Sequence, residues 1–214
     1  YVCRLDSYFL TEGRDIINTE FGSDYNTYYS ILQLIANGAN RRGDIDGALQ
    51  KDTGVYLSNL ERNFGMISRL KPLLSASHSK ISSYEIADLF LRFWFRFICP
   101  YQSLIESGQL KLLRSNINAH YDQFSGKTLE RYFQTQLMET GDYTQVGNWW
   151  DRKGENEIDI IAINEFTHEA LAAEVKRNEH KISLHTLEEK IERLPKQQFG
   201  KYTFRTIGLS LNDM

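Results

Sequence analysis

Apolar residues recur at helical spacing through the first half of the chain and gather into short β-prone runs in the second. The spacing predicts a helix over Tyr28 to Ala36, ended by Asn37-Gly38, and a second over Asp44 to Gln50. After the break at Lys51 to Gly54, a third runs from Val55 to Phe64 with Leu57, Leu60 and Phe64 on its buried face. Met66 to Leu70 and Ile81 to Tyr84 then read as a strand pair around a loop of Lys71 to Lys80. Three helices and a two-stranded wing make a winged helix-turn-helix over residues 23–84. Ile86 to Ile98 reads as an aromatic core helix, too short to span a bilayer and carrying Asp88, Arg92 and Arg96. It opens a helical connector, residues 85–124, with a hinge expected between Asn116 and Phe124.

Beyond the hinge the periodicity changes. Ser125 to Thr140 is helical, with Leu129, Phe133 and Leu137 on one face and Glu130 beside it. Tyr143 to Trp150 is a β-prone run, and the polar turn Asp151 to Asn156 leads to a strand that carries Asp159. Asn164 to Glu169 separates it from a strand carrying Glu174, Val175 and Lys176, so the two form an antiparallel hairpin. A loop centred between Phe166 and Thr167 sets Asp159 opposite Glu174. Side chains alternate along a strand, so Glu174 and Lys176 share a face and Val175 takes the other. Facing carboxylates repel unless a cation sits between them, and a divalent ion fits that need. A helix marked by Leu184, Leu187, Ile191 and Leu194, closed by Pro195, and a last strand from Phe204 to Leu211 complete the order.

Asp159, Glu174 and Lys176 match the Asp…(Asp/Glu)-x-Lys motif, and residues 125–214 resemble the PD-(D/E)XK nuclease superfamily. The resemblance implies an α/β (α+β) protein, a winged helix-turn-helix plus a restriction-endonuclease-like αβββαβ domain. It also implies Mg²⁺ or Mn²⁺ held by Asp159, Glu174 and the carbonyl of Val175. Glu130 stands where such enzymes carry a further acidic ligand. Mg²⁺ favours hard oxygens from one or two carboxylates, and Lys176 would orient or deprotonate the attacking water or neutralise the transition state. Such folds also persist as inactive modules that bind DNA or protein.

A net charge of −3 announces no nucleic acid by itself. Residues 23–84 carry seven Lys/Arg against five Asp/Glu, and residues 125–214 carry twelve against fifteen. If the winged helix reads DNA, Tyr56, Asn59, Arg62 and Asn63 of the third helix face the groove, and Arg69, Lys71 and Lys80 meet phosphates. The bland reading is a solvated face or a protein contact. Trp149 and Trp150 invite base stacking, although strand alternation turns at least one into the core.

Cys3 and Cys99 lie far apart, as expected of free thiols in a reducing cytosol, and the expected location is cytoplasmic with no membrane partner. His78, His120, His168, His180 and His185 have no metal-ligand spacing. Gly38 to Gly43 lacks the Lys-Ser/Thr of a phosphate loop, and at Gly126-Lys127-Thr128 Tyr121 stands where the first glycine belongs, so no nucleotide site is expected. Asp24 through Gly38, with Tyr84 through Phe97, resembles the C-terminal half of prokaryotic, often archaeal, AAA-like P-loop ATPases. That resemblance implies that residues 1–22 are the tail of an ATPase lid. It places ATP and a partner ATPase domain in the preceding part of a parent chain, with a homo-oligomer as a further expectation.

Overall fold

The computed structural model describes residues 2–4, 7–21, 25–76, 79 and 81–214, the side chain of Glu20 aside. It is a mixed α+β protein of two compact units, residues 1–70 with 82–119, and residues 71–81 with 120–214. His78 and Lys80, and Asp24 of the ATPase-like stretch, lie outside the described residues.

In the first unit, helices α1 (Glu12–Phe21), α2 (Tyr25–Ala36), α3 (Arg42–Leu49) and α4 (Gly54–Arg62) precede an antiparallel pair, β1 (Ile67–Leu70) and β2 (Ser83–Ile86). Ile31, Leu32, Ile45, Leu57 and Leu60 are buried at the periodic positions. Residues 1–22, expected as the tail of an ATPase lid, carry α1, and Leu10, Ile17 and Phe21 join the same core. Ile86 ends a strand, so the expected aromatic helix starts later, as α5 (Leu89–Phe93). Asp88 caps it, Oδ1 accepting the Leu91 N–H at 2.8 Å. Trp94 to Ile98 widens into a π-turn, followed after Cys99–Tyr101 by α6 (Gln102–Glu106).

Two contacts in this unit carry testable consequences. Gly13 of α1 lies flat against the indole of Trp94, and an added Cβ would strike the ring. Trp94 is fully buried and donates its Nε1–H to the Leu10 carbonyl at 3.3 Å, so it has nowhere to retreat. Gly13→Ala is expected to destabilise by about 1–3 kcal/mol through overpacking. An unchanged urea midpoint would refute that argument.

The second contact ties α3 to α4. Thr53, wholly buried, gives both its N–H and its hydroxyl to Asp46 Oδ1, at 2.8 and 2.6 Å. The Thr53 hydroxyl, with its N–H and Arg42 adding, outweighs desolvation and holds the Asp46 carboxyl below its ordinary range. A depressed folded value contributes stability that is complete above the unfolded value of about 3.9 and is lost as pH falls through the folded one. The stability difference between wild type and Asp46→Asn, whose amide oxygen still accepts from Thr53, should therefore shrink on acidification below about pH 4. A difference that is flat with pH would sink the linkage.

The helix expected from Ser125 begins earlier, as α7 (Leu110–Glu139), and the division between the two units, at Ala119/His120, falls within the expected 116–124 stretch, which is helical. Gly126 consequently sits inside a helix and opens none. The second unit continues with β3 (Gln145–Trp150), β4 (Glu157–Asn164), β5 (Glu169–Val175), α8 (Leu184–Glu192), α9 (Lys196–Phe199) and β6 (Thr203–Leu209). Sheet order is β3-β4-β5-β6, antiparallel except for the parallel β5–β6 pair, which needs the α8 crossover.

Leu129 and Phe133 of α7 cover one face, against Ile160, Ala162, Leu171, Ala173 and Val175. Leu187, Leu194 and Phe199 cover the other, against Ile158, Ile161, Ile163, Ala170 and Ala172. Burial on both faces explains why β4 and β5 read as nearly continuous apolar runs. Trp149 and Trp150 are both buried, so neither is a stacking platform. The loop assigned to the wing belongs to this unit. Leu73 donates its N–H to the Asn148 carbonyl at 2.9 Å and packs with Trp149, covering the outer edge of β3.

Candidate functional site

The site grows from a hairpin whose register is the predicted one. Asn164 Oδ1 accepts the N–H groups of Phe166 and Thr167 at 3.0 and 3.1 Å, and His168 takes a left-handed conformation at φ 59°. The ladder runs from Asn164↔Glu169 to Ile160↔Ala173. One step further, Asp159 stands level with Glu174.

On its other edge β4 is irregular. Gly147 pairs with Ile161 but Trp149 with Ile158, so Asp159 and Ile160 together oppose the single residue Asn148. This β-bulge breaks the alternation, leaving Ile158 and Ile161 on the α8 face and Ile160 on the α7 face. Asp159 sits in the bulge, where a strand's side chains are re-aimed.

Here side chains replace the ladder. Asp159 Oδ2 accepts the Val175 N–H at 2.9 Å and Lys176 Nζ at 3.0 Å. Glu174 Oε2 accepts the Ser183 N–H at 2.6 Å, at the start of α8, and its Oε1 lies 3.5 Å from Lys176 Nζ. Each carboxylate thus has one oxygen oriented by a backbone N–H. Among the described residues no hydrogen bond falls on Asp159 Oδ1. Both carboxylates are nearly covered, at 12% and 9% side-chain exposure.

Glu130 is placed differently. Lys127 Nζ bonds Glu130 Oε2 and Glu157 Oε1, both at 3.0 Å. Burial pushes the Glu130 carboxyl up to about 7, with Asp159 and Glu157 adding and Lys127 opposing. The Lys127 ammonium, despite burial, is held above its ordinary range by Glu130 and Glu157. These directions agree once one ammonium is seen to serve two carboxylates, which leaves a negative charge unbalanced. Burial likewise lowers the Lys176 ammonium's pKa, but Asp159 and then Glu174 outweigh it and raise the net value. Among the described residues, no three His, Cys, Asp or Glu side chains converge into a metal-holding group, so Glu130 is not brought into a ligand set with Asp159 and Glu174.

The remaining predicted residues scatter. Tyr56 packs edge-on against Tyr28 and its hydroxyl takes Lys51 Nζ at 2.7 Å. Asn59 turns inward to the Tyr28 hydroxyl at 3.0 Å. Arg62 and Asn63 are exposed, the latter bonded to Asn59. The helical period that buries Leu57 and Leu60 presents Val55 and Arg62 outward and leaves Tyr56 and Asn59 half-buried. Arg69 is exposed on β1, bonded to Ser82 and lying over Tyr84. Lys71 is exposed and belongs to the second unit. Ser183 and Glu157 went unremarked in the sequence, and Lys127 entered only within a rejected phosphate-loop match, because nothing in a run of letters aims a helix-start N–H or a second lysine at these carboxylates.

Comparison with known proteins places the site within a wider group. Residues 94–193 match the DUF234 family, described as archaea bacterial proteins of unknown function. The match takes in Glu130, Asp159, Glu174 and Lys176. An uncharacterized protein of Methanocaldococcus jannaschii is 36% identical over 184 residues, 81% of this chain. The chain spans 40% of that relative's length. No solved structure gives a significant match. Among the described residues no helix is long and apolar enough to cross a membrane.

Proposed function

We propose that the chain is a winged helix joined to a PD-(D/E)XK nuclease-like domain, and that it hydrolyses phosphodiester bonds in DNA with Mg²⁺ or Mn²⁺. The observation that carries this reading is the pairing of Asp159 and Glu174, both nearly covered, around the ammonium of Lys176. Two carboxylates against one ammonium leave a net negative charge, which suits a divalent cation. The donors are hard carboxylate oxygens, two of them pre-oriented by backbone N–H groups, which fits Mg²⁺ rather than a softer ion.

Asp159 and Glu174 would hold the ion, with the Val175 carbonyl as the proposed third oxygen. Bound there, the ion supplies Lewis-acid stabilisation of the phosphoryl oxygens and a more acidic water. Lys176, already aimed between the carboxylates, orients or deprotonates the attacking water or neutralises phosphoryl charge. Arg62 and Arg69, both exposed, suit phosphate contact. The resemblance to AAA-like ATPases supports ATP binding by another part of a longer protein, and the chain spans 40% of its relative's length.

One observation favours a second reading. Lys176 Nζ, at 3.0 and 3.5 Å from the two carboxylates, itself serves as their counter-cation, as in an inactive module that binds DNA or protein and regulates an attached ATPase. Incubation of the chain with plasmid and single-stranded DNA in Mg²⁺ or Mn²⁺ decides between them. Cutting that stops on chelation supports the nuclease. Folded protein that neither cuts nor binds metal by calorimetry overturns it.

A further inference from the structure

Arg177 follows Lys176 directly, yet its side chain belongs to a different set of contacts. Its Nη1 donates to Ser125 Oγ at 2.7 Å, its Nε lies 3.1 Å from Asp122 Oδ1, and its guanidinium carbon sits 5.9 Å from the centre of the Tyr121 ring. All three partners are on α7. Ser125 is buried and spends its own hydroxyl proton on the Tyr121 carbonyl at 2.8 Å, so an oxygen lone pair is left for Arg177. The guanidinium is gripped along its Nε and one Nη1 position. Among the described residues Nη2 has no partner.

A guanidinium offers five N–H donors in a rigid fork, and a phosphate accepts two of them side by side. Here α7 takes the Nε–H and one N–H of Nη1, and leaves the N–H groups of Nη2 for another acceptor. Asp122, 83% exposed, is a weak, screened ion-pair partner that a doubly bonding phosphate can displace. The surplus negative charge around Asp159 and Glu174 also repels an incoming nucleic acid, so a fixed cation beside it has a use. We infer that Arg177 is a phosphate clamp, pre-set by Tyr121 and Ser125, that grips the backbone of a DNA strand entering the adjoining site. The inference rests on the DNA-directed reading of that site and names a residue the motif does not include. The competing role is purely structural, a pin between α7 and the end of β5.

Fluorescence anisotropy of labelled duplex and single-stranded oligonucleotides tests it, with the whole chain in Ca²⁺ over a range of salt. Losing one phosphate contact lowers the slope of log affinity against log salt by about 0.9 on duplex. Wild type should therefore lose about 3.5-fold more affinity than Arg177→Gln between 50 and 200 mM salt, on every sequence alike. Arg177→Lys keeps the charge without the fork and should keep the slope while binding more weakly. Asp122→Asn, which removes the competing carboxylate, should bind more tightly. Thermal melting reports the structural role separately. An unchanged slope in folded Arg177→Gln, or no binding of either probe by wild type, overturns the clamp. Cleavage by a protein whose slope ignores Arg177 would sink the clamp alone; a reduced slope without cleavage would keep the clamp and remove the enzyme.

Discussion

Asp159→Asn is expected to remove metal-dependent cleavage, by about 10²–10³-fold or more, while leaving the hairpin folded. The asparagine keeps an oxygen that can accept the Val175 N–H, now 2.9 Å from Asp159 Oδ2, so the local backbone retains its partner. What it loses is the charge. With Glu174 as the only remaining carboxylate of the pair, the cation loses a ligand and Lys176 loses its nearer counter-charge, at 3.0 Å. Glu174→Gln should behave alike, its amide oxygen still able to accept from Ser183 N at 2.6 Å. Plasmid nicking over time, beside calorimetric titration with Mg²⁺, checks both. Cleavage that survives in folded Asp159→Asn would exclude this carboxylate from the reaction.

Much of this site was legible before any coordinates. The register followed from one assumption, a loop centred between Phe166 and Thr167, because a strand's period of two leaves no freedom once the turn is placed. The pairs Ile160↔Ala173 to Asn164↔Glu169 carry that register through. The bulge at Asp159–Ile160 was not legible: it arises where β3 and β4 fail to match, and no local letter marks it. In the first unit, burial periodicity found α2, α3 and α4, but α1 was missed. Gly13 weakens its local propensity, and Ile17 and Phe21 declare themselves only against the core they fill. Tyr56 and Asn59, offered as groove-facing residues of a recognition helix, are half-buried. A tyrosine ring and an amide can pack inward when a hydroxyl such as that of Tyr28 is there to meet them.

Lys176→Met separates the two readings most sharply, because it acts on stability and on chemistry at once. In chelator, removing the ammonium leaves Asp159 and Glu174, 12% and 9% exposed, with their shared cation gone. Stripping one partner from a buried pair costs about 3–5 kcal/mol, and solvent screening at a lysine that is 35% exposed reduces the expectation to about 1–3 kcal/mol. A metal site predicts rescue. Mg²⁺ at a hundred times its dissociation constant adds about 2.7 kcal/mol to any protein that binds it only when folded. Melting temperature should therefore fall in chelator and recover with Mg²⁺, whereas cleavage should stay lost, since no side chain remains to orient water or neutralise the phosphoryl group. A module in which Lys176 is the permanent counter-cation predicts the fall without the recovery. Recovery of cleavage together with stability would show that the ion alone performs the work assigned to the lysine.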